Sequence, residues 1–173
     1  LVGYNDPKNA GLTVQGRGDD KYDYHATAMT SLGICTRIFC EHDPNDPFFE
    51  PGAQRLIKDL PTVDKDHRKI DYYYWYYGSL ALNQLDGPDS PRKSGKYWNA
   101  WNKAMVQAVL ELQDETERAC THGGWITTDR WSYDGGPIYT TALNVLTLEV
   151  YYRYENAFGG AKLDLARARR LGA

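Results

Sequence analysis

The feature that most constrains this chain is a short segment that occurs three times. A triplet of two small residues and one large apolar residue begins at Thr27, Gly78 and Thr141, with spacings of 51 and 63 residues. An aromatic ring lies two residues before each triplet, and these ring residues are His25, Tyr76 and Tyr139. Each copy opens an apolar, helix-like stretch. A period of this size is typical of helical repeat arrays, so the sequence predicts an all-α fold.

Hydrophobic periodicity predicts six helices between loops rich in glycine, proline and charge. Residues 1–22 are expected to be loop. The predicted helices cover about residues 23–40, 50–60, 71–85, 96–113, 137–154 and 161–171. The first, third and fifth carry the triplets, and the fifth is apolar nearly all round, so we expect it to be buried between layers. The second and fourth are one-sided. This alternation is typical of stacked helical hairpins, with three inner helices, two outer helices and a terminal helix.

The composition excludes several classes of protein. A formal net charge of −3 and a pI near 5.8 leave no basic surface for nucleic acid. No apolar run reaches the roughly 18 residues that span a bilayer. The spacing of the three cysteines matches no standard zinc pattern. Because the chain starts at Leu1 without a signal-peptide pattern, we expect residues 1–173 to be one helical repeat domain taken from a longer protein.

Several stretches carry a resemblance to a known repeat. Gln113, followed by Gly-Gly-Trp at residues 123–125, resembles a stretched version of the Gln…Gly-x-Trp repeat of squalene–hopene cyclases. Bacterial proteins of the prenyltransferase and squalene-oxidase repeat group are similar over residues 97–102, 135–143 and 146–154. The resemblance covers about residues 23–154. It implies an α/α-toroid, in which inner helices surround a central cavity, and three inner helices would make about half of a six-hairpin ring.

The catalytic motifs of that superfamily are missing from this sequence. The Asp-x-Asp-Asp acid of hopene-type cyclases is absent, and so is the Cys-Gly-Glu-Gln thioester of complement-type domains. Cys120 and His122 are the nearest approach to the zinc ligands of protein prenyltransferases, and they lack a matched carboxylate. We therefore expect no catalytic residue, no cofactor and no metal. These missing motifs argue against an enzyme, unless an acid motif lies in an absent half of the ring.

Four aromatic residues are the candidate ligand-binding residues. His25, Tyr76 and Tyr139 occupy equivalent repeat positions, so they are predicted to converge near the axis of the ring. Their polar tips would suit a peptide, a glycan or a lipid-like ligand. The alternative is simple packing of these rings. Trp125 is expected either to plug its loop onto adjacent helix ends or, if it is exposed, to contact a ligand.

Two further features belong to the C-terminal half. Glu149 and Arg153 stand in the favourable i, i+4 order on the fifth helix and are predicted to form a structural ion pair. The loop over residues 114–136 is long for a compact helical domain, and loops of that length are often functional. We therefore expect any site to involve this loop and the concave face of the repeat.

Three functions stay open. The first is a non-catalytic repeat domain that binds a ligand or a protein within a larger, bacterial cell-envelope protein. The second is an enzyme, either terpenoid cyclase- or prenyltransferase-like or polysaccharide lyase-like. The third is a structural assembly domain. Because a half ring exposes inner-helix surface, we expect self-association or contact with missing parts of the full-length protein. The compartment is open, with the periplasm and the cell surface as candidates.

Overall fold

The computed structural model describes residues 14–15, 21–22, 26–41 and 43–153. Within these ranges the regular elements are helices, apart from two short antiparallel strands, Val14–Gln15 (β1) and Lys21–Tyr22 (β2). The helices are α1 Ala26–Glu41, α2 Phe49–Ile57, α3 Tyr72–Asp86, α4 Trp98–Glu111, α5 Ser132–Leu148 and α6 Val150–Arg153. The predicted all-α class is confirmed for this part of the chain. The terminal helix expected over residues 161–171 lies outside the described residues.

Helix α3 is the centre of the fold. It packs against α1 and against α5, so the three helices that carry the triplets form a row in the order α1, α3, α5. Helix α2 packs on α1, and α4 packs on α3. The core lies around α3, and its largest fully buried side chains are Trp75, Trp101, Tyr72, Tyr74, Phe49, Ile34, Ile38, Leu56, Ile70, Leu82, Leu85 and Met105.

A buried aspartate lies at the start of α3, and a second one accepts hydrogen bonds at the start of α4. Asp71 is the N-cap of α3, and its carboxylate accepts a hydrogen bond of 3.0 Å from the amide of Tyr74. This cap explains why a run of six aromatic residues, which has strand-like composition, begins as a helix. Asp86 is 1% exposed and accepts from the first amides of α4, those of Tyr97 at 2.8 Å and Trp98 at 3.0 Å. Both aspartates also suit the positive end of a helix dipole.

The second triplet begins with two small residues because an indole lies across them. A Cβ atom on Gly78 would come within 2.3 Å of Cζ2 of Trp101, so only glycine permits this approach. Next to it, Ser79 accepts a hydrogen bond of 2.9 Å from the indole nitrogen of Trp101. The triplet therefore seats Trp101 against α3.

The third triplet also contacts an indole-bearing residue. The amide of Trp125 lies 3.4 Å from the hydroxyl of Thr141, and the hydroxyl of Thr140 donates to the carbonyl of Trp125 at 3.2 Å. Here the tryptophan comes from the loop before the helix, whereas Trp101 comes from the helix after it. In the second triplet the missing side chain of Gly78 lets the indole approach. In the third, Thr141 and the preceding Thr140 hold the backbone of Trp125.

Helix α5 packs differently from the prediction. It has a break at Gly136, whose φ of 65° favours glycine, and Pro137 opens the longer second part. The expectation that this helix is buried on all sides is wrong, because Ile138 is 85% exposed and Val145 is 40% exposed. The buried residues of α5 are polar, namely Ser132, Thr140, Asn144 and Thr147. Periodicity identifies apolar residues, but it does not say how many neighbouring elements are available to cover them.

Candidate functional site

The three predicted ring residues have different surroundings. His25 lies outside the described residues. Tyr76 is half-buried on α3, with its ring 5.0 Å from the ring of Tyr77. The hydroxyl of Tyr139 is buried and has no hydrogen-bond partner among the described residues. Burial raises the pKa of Tyr139, and the negative charges of Asp129 and Asp71 raise it further. Helices α3 and α5 are packed together, yet the structure places Tyr139, and not Tyr76, at a charged cluster.

Trp125 holds the long loop against α4. Its side chain is buried, and its indole nitrogen donates a hydrogen bond of 2.7 Å to the carbonyl of Val109. Trp125 also forms an isolated β-bridge with Gln113, whose side-chain amide donates to the carbonyl of Gly123 at 2.9 Å. This geometry corresponds to the plugging alternative for Trp125. Its aromatic surface is used within the fold and is not offered to a ligand.

The Glu149–Arg153 ion pair is a surface feature. Nη1 of Arg153 lies 3.1 Å from Oε2 of Glu149, and both side chains are about half exposed. An exposed i, i+4 pair of this kind contributes about 0.3–0.5 kcal/mol to stability. The pair therefore fixes the end of α5 only weakly, and neither residue carries the cost of a buried charge.

A charged cluster lies where the start of α3 meets the end of the long loop. We call it the Asp71 cluster, and it consists of Asp71, Asp129, Arg130 and Tyr139. Nη2 of Arg130 lies 3.3 Å from Oδ2 of Asp71, and the two side chains are 4% and 1% exposed. The loop is tied to α3 beside the cluster, because the hydroxyl of Tyr72 donates to the carbonyl of Ile126 at 3.1 Å.

Asp129 is the member of the Asp71 cluster whose pKa is raised to near neutrality. Its side chain is fully buried, and this burial raises its pKa to about 7, with a further contribution from the charge of Asp71. The hydroxyl of Ser132, which donates to Asp129, opposes the shift. Burial also raises the pKa of Tyr139, as do the nearby charges of Asp129 and Asp71. Asp129 therefore changes its charge near neutral pH inside the fold.

Asp129→Asn is expected to raise the free energy of unfolding at pH 8 by about 4 kcal/mol. The folded protein keeps the proton on Asp129 up to about pH 7, whereas the unfolded chain loses it near its ordinary pKa of 3.8. Stability therefore falls as pH rises between these values, by about 1.4 kcal/mol for each pH unit. Asparagine removes this dependence and keeps an oxygen that accepts from Ser132. Urea denaturation across the pH range measures the effect.

The exposed Asp89 supplies the matched control, because Asp89→Asn is expected to leave the pH profile of stability unchanged. An Asp129→Asn variant whose profile keeps the wild-type slope would show that folding does not raise the pKa of Asp129.

Sequence reasoning missed the Asp71 cluster. Its ion pair joins residues 59 positions apart, and the only local signal is the Asp129-Arg130 dipeptide at the end of the long loop.

The Asp71 cluster is enclosed by the fold and is not open to a ligand. Asp71, Asp129 and Arg130 are 1%, 0% and 7% exposed.

In the part of the chain that the structure describes, no group of three or more histidine, cysteine, aspartate or glutamate side chains is placed to hold a metal. No helix there is long and apolar enough to cross a membrane. No protein-family model matches the chain, and no match was found among curated proteins or solved structures.

Proposed function

We propose that this chain is a unit of an α/α-toroid and a non-catalytic binding module whose partner is a second copy of itself. The row of α1, α3 and α5, with α2 and α4 packed on α1 and α3, supports the proposal. Such a row is what stacked hairpins with inner and outer helices would form. The observation that carries the proposal is the apolar side that α5 turns outward.

The outward side of α5 and α6 carries a line of exposed apolar side chains. Ile138, Ala142, Val145 and Tyr152 define this α5 stripe, and their spacing of four, three and seven places them along one side of the α5–α6 segment. Ile138 and Tyr152 are 85% and 82% exposed. Of the eight large apolar side chains that are exposed among the described residues, five lie between residues 131 and 152. Concentrated apolar exposure of this kind marks an interaction surface.

The inward side of α5 supports the same conclusion. Two of its buried polar side chains find acceptors within the helix. Thr147 donates to the carbonyl of Leu143 at 2.8 Å. Asn144 donates to the carbonyl of Thr140 at 2.9 Å. A surface helix of a monomer usually turns its apolar side inward. Helix α5 has polar residues at its buried positions and offers apolar residues to a partner.

A second copy suits the α5 stripe in charge and in number. Glu149 lies in the stripe between Val145 and Tyr152 and is paired with Arg153 at 3.1 Å, so facing copies of the stripe bring no net charge together. A two-fold contact uses the same patch on both subunits, which an apolar stripe allows. Two copies would also bring six inner helices together, the number that the resemblance implies for a full ring.

The enzymatic alternative has less support. The titratable groups with perturbed pKa values around Asp129 and Tyr139 are enclosed, and a reacting group must be within reach of its substrate. The assembly alternative agrees with the proposal, because self-association through α5 is itself an assembly function.

Sedimentation velocity over a range of concentrations tests the proposal. We expect a reversible dimer with a Kd on the order of micromolar, because the α5 stripe is smaller than a standard interface. The double variant Ile138→Asp/Val145→Asp is expected to weaken dimerisation more than about tenfold, since it places facing carboxylates in an apolar contact. Its melting temperature is expected to stay within a few degrees of wild type, because both side chains are exposed.

Leu110 on α4 gives the matched control. It is 52% exposed, so Leu110→Asp introduces the same charge on a different helix and is expected to leave the dimer intact. A wild-type chain that remains monomeric at high micromolar concentration would overturn the choice of a second copy. Equal weakening by the α4 and α5 variants would show that the contact does not involve the α5 stripe.

A further inference from the structure

The α5 stripe is symmetric about Val145. Ile138 lies seven residues before Val145, and Tyr152 lies seven residues after it. Ile138 and Tyr152 are also the two most exposed large apolar side chains of the part of the chain that the structure describes, at 85% and 82%. At 3.6 residues per turn, the stripe stays within a sector of about 80° of the helix circumference. It therefore has the same pattern in both chain directions, with a large side chain at each end and a smaller one at its centre.

The stripe lies on one unbroken length of helix. The break in α5 precedes it. At the junction of α5 and α6, the amide of Glu149 donates to the carbonyl of Val145, and the amide of Arg153 donates to the carbonyl of Glu149, both at 2.9 Å. These bonds are of the i to i−4 type, so they carry the helical register across the junction. Ile138 and Tyr152 are therefore about 21 Å apart along a single axis, at 1.5 Å for each residue.

Two copies can pack these stripes together in two symmetric ways. A parallel two-fold contact places every stripe residue against its own copy. An antiparallel two-fold contact centred on Val145 places only Val145 against its own copy and sets Ile138 against the partner's Tyr152, twice in each dimer. Spacings of seven residues keep either seam in contact when the helices cross at about 20°, so apolar packing alone does not choose between them.

Charge favours the antiparallel contact. In a parallel contact the two Glu149 carboxylates lie opposite each other within the seam, and the two Arg153 guanidinium groups meet one turn further on. In the antiparallel contact, Glu149 faces the partner's Thr141 and Arg153 faces the partner's Pro137, which are uncharged. Like charges placed opposite each other weaken an interface. Antiparallel helices also bring opposite ends of their dipoles together.

We propose that two copies of this chain pair antiparallel along the α5 stripe, with Val145 at the two-fold axis and Ile138 against the partner's Tyr152. This arrangement rests on the self-association proposed above, and it adds the direction and register of the second copy. The six inner helices then follow the order α1, α3, α5, α5, α3, α1, because α5 is at one edge of each row.

Disulfide cross-linking of single-cysteine variants tests this arrangement. The full chain with Cys40→Ser/Cys120→Ser keeps only the buried Cys35, so it serves as the background. Two cysteines are joined only when their Cα atoms lie within about 7 Å. In a glutathione redox buffer, at concentrations above the Kd of the dimer, Val145→Cys is therefore expected to form a linked homodimer. Electrophoresis without reducing agent measures the linked fraction.

The ends of the stripe give the opposite expectation. Copies of Ile138→Cys lie about 21 Å apart in the antiparallel dimer, so this variant is expected to link no more than Leu110→Cys on α4, which is 52% exposed. An equimolar mixture of Ile138→Cys and Tyr152→Cys is expected to form at least about five times more linked heterodimer than either homodimer. Intact mass spectrometry distinguishes these products.

A charge at Ala142 tests the direction without a cross-link. Ala142 is exposed, and in the antiparallel contact it lies beside the partner's Glu149. Ala142→Lys is therefore expected to tighten the dimer by about threefold at low salt, since two new ion pairs form, whereas Ala142→Glu is expected to loosen it by a similar factor. In a parallel contact both variants would set like charges against each other, and both would loosen the dimer. Sedimentation velocity measures the Kd of each variant.

The outcomes separate this arrangement from the self-association itself. Linking of Ile138→Cys as strong as that of Val145→Cys, or a looser dimer with Ala142→Lys, would overturn the antiparallel register while the wild-type dimer persists in sedimentation. Linking of Val145→Cys no stronger than that of Leu110→Cys would overturn it as well. A wild-type chain that stays monomeric would instead overturn the self-association on which the arrangement rests.

Discussion

Asp71→Ala is expected to lower the free energy of unfolding by about 4 kcal/mol. The change removes the N-cap of α3, which is worth about 1 kcal/mol, and the buried carboxylate that faces the guanidinium of Arg130. Breaking a buried ion pair from one side costs about 3–5 kcal/mol because the remaining charge stays in a low-dielectric site. Urea denaturation followed by far-ultraviolet circular dichroism measures the loss.

A double-mutant cycle with Arg130→Met isolates the ion pair from the cap. Methionine fills a similar volume without a charge, so the double variant Asp71→Ala/Arg130→Met is expected to be at least as stable as Asp71→Ala alone. We expect a coupling energy of about 2 kcal/mol or more between the two positions. Additive losses, within about 0.5 kcal/mol, would show that the pair makes no specific contribution and that the cap alone accounts for the effect.

Trp101→Ala is expected to lower the free energy of unfolding by about 4–5 kcal/mol. The indole is fully buried, packs edge-on against Tyr74 at 5.3 Å and donates to Ser79 at 2.9 Å. Its loss leaves a cavity beside Gly78 and a buried hydroxyl without its partner, and both effects destabilise the fold. Thermal and urea unfolding at neutral pH measure the change, with the exposed Leu110→Ala as a control that is expected to have almost no effect.

Gly78 gives this prediction a second, sharper test. In the wild-type protein Gly78→Ala is expected to cost about 2–3 kcal/mol, because its Cβ would meet Trp101 at 2.3 Å. In the Trp101→Ala background the same methyl group enters the vacated space. We therefore expect Gly78→Ala to become nearly neutral there. An equal cost in both backgrounds would contradict the seating of Trp101 on the triplet.

Local signals were sufficient to predict much of the helical framework. The third helix was expected over residues 71–85 and is found at Tyr72–Asp86, because Asp71 provides a cap that can be read from the sequence. Pro137, predicted to open the fifth helix, follows the break at Gly136. The plugging alternative for Trp125 also came from a local motif, since Gln113 and Trp125 are only twelve residues apart.

The candidate sites depend on information that is not local. The partner of Arg130 lies across the fold on α3, and no periodicity links the two residues. The fifth helix is rich in apolar residues, as the sequence analysis describes. Its outward orientation depends on how many elements surround the helix, which is a property of the assembled fold.

The contacts that hold Trp125 also determine where the chain can tolerate an insertion. Trp125 is fixed by Val109 and by Thr141, while the loop before it closes at its base, where the amide of Asp114 donates to the carbonyl of Gly124 at 2.8 Å. Between these points residues 115–122 are almost all exposed. Extra sequence inserted there would extend into solvent without moving a helix. The wider spacing of the last two triplets therefore makes this loop a natural position for displaying a foreign peptide.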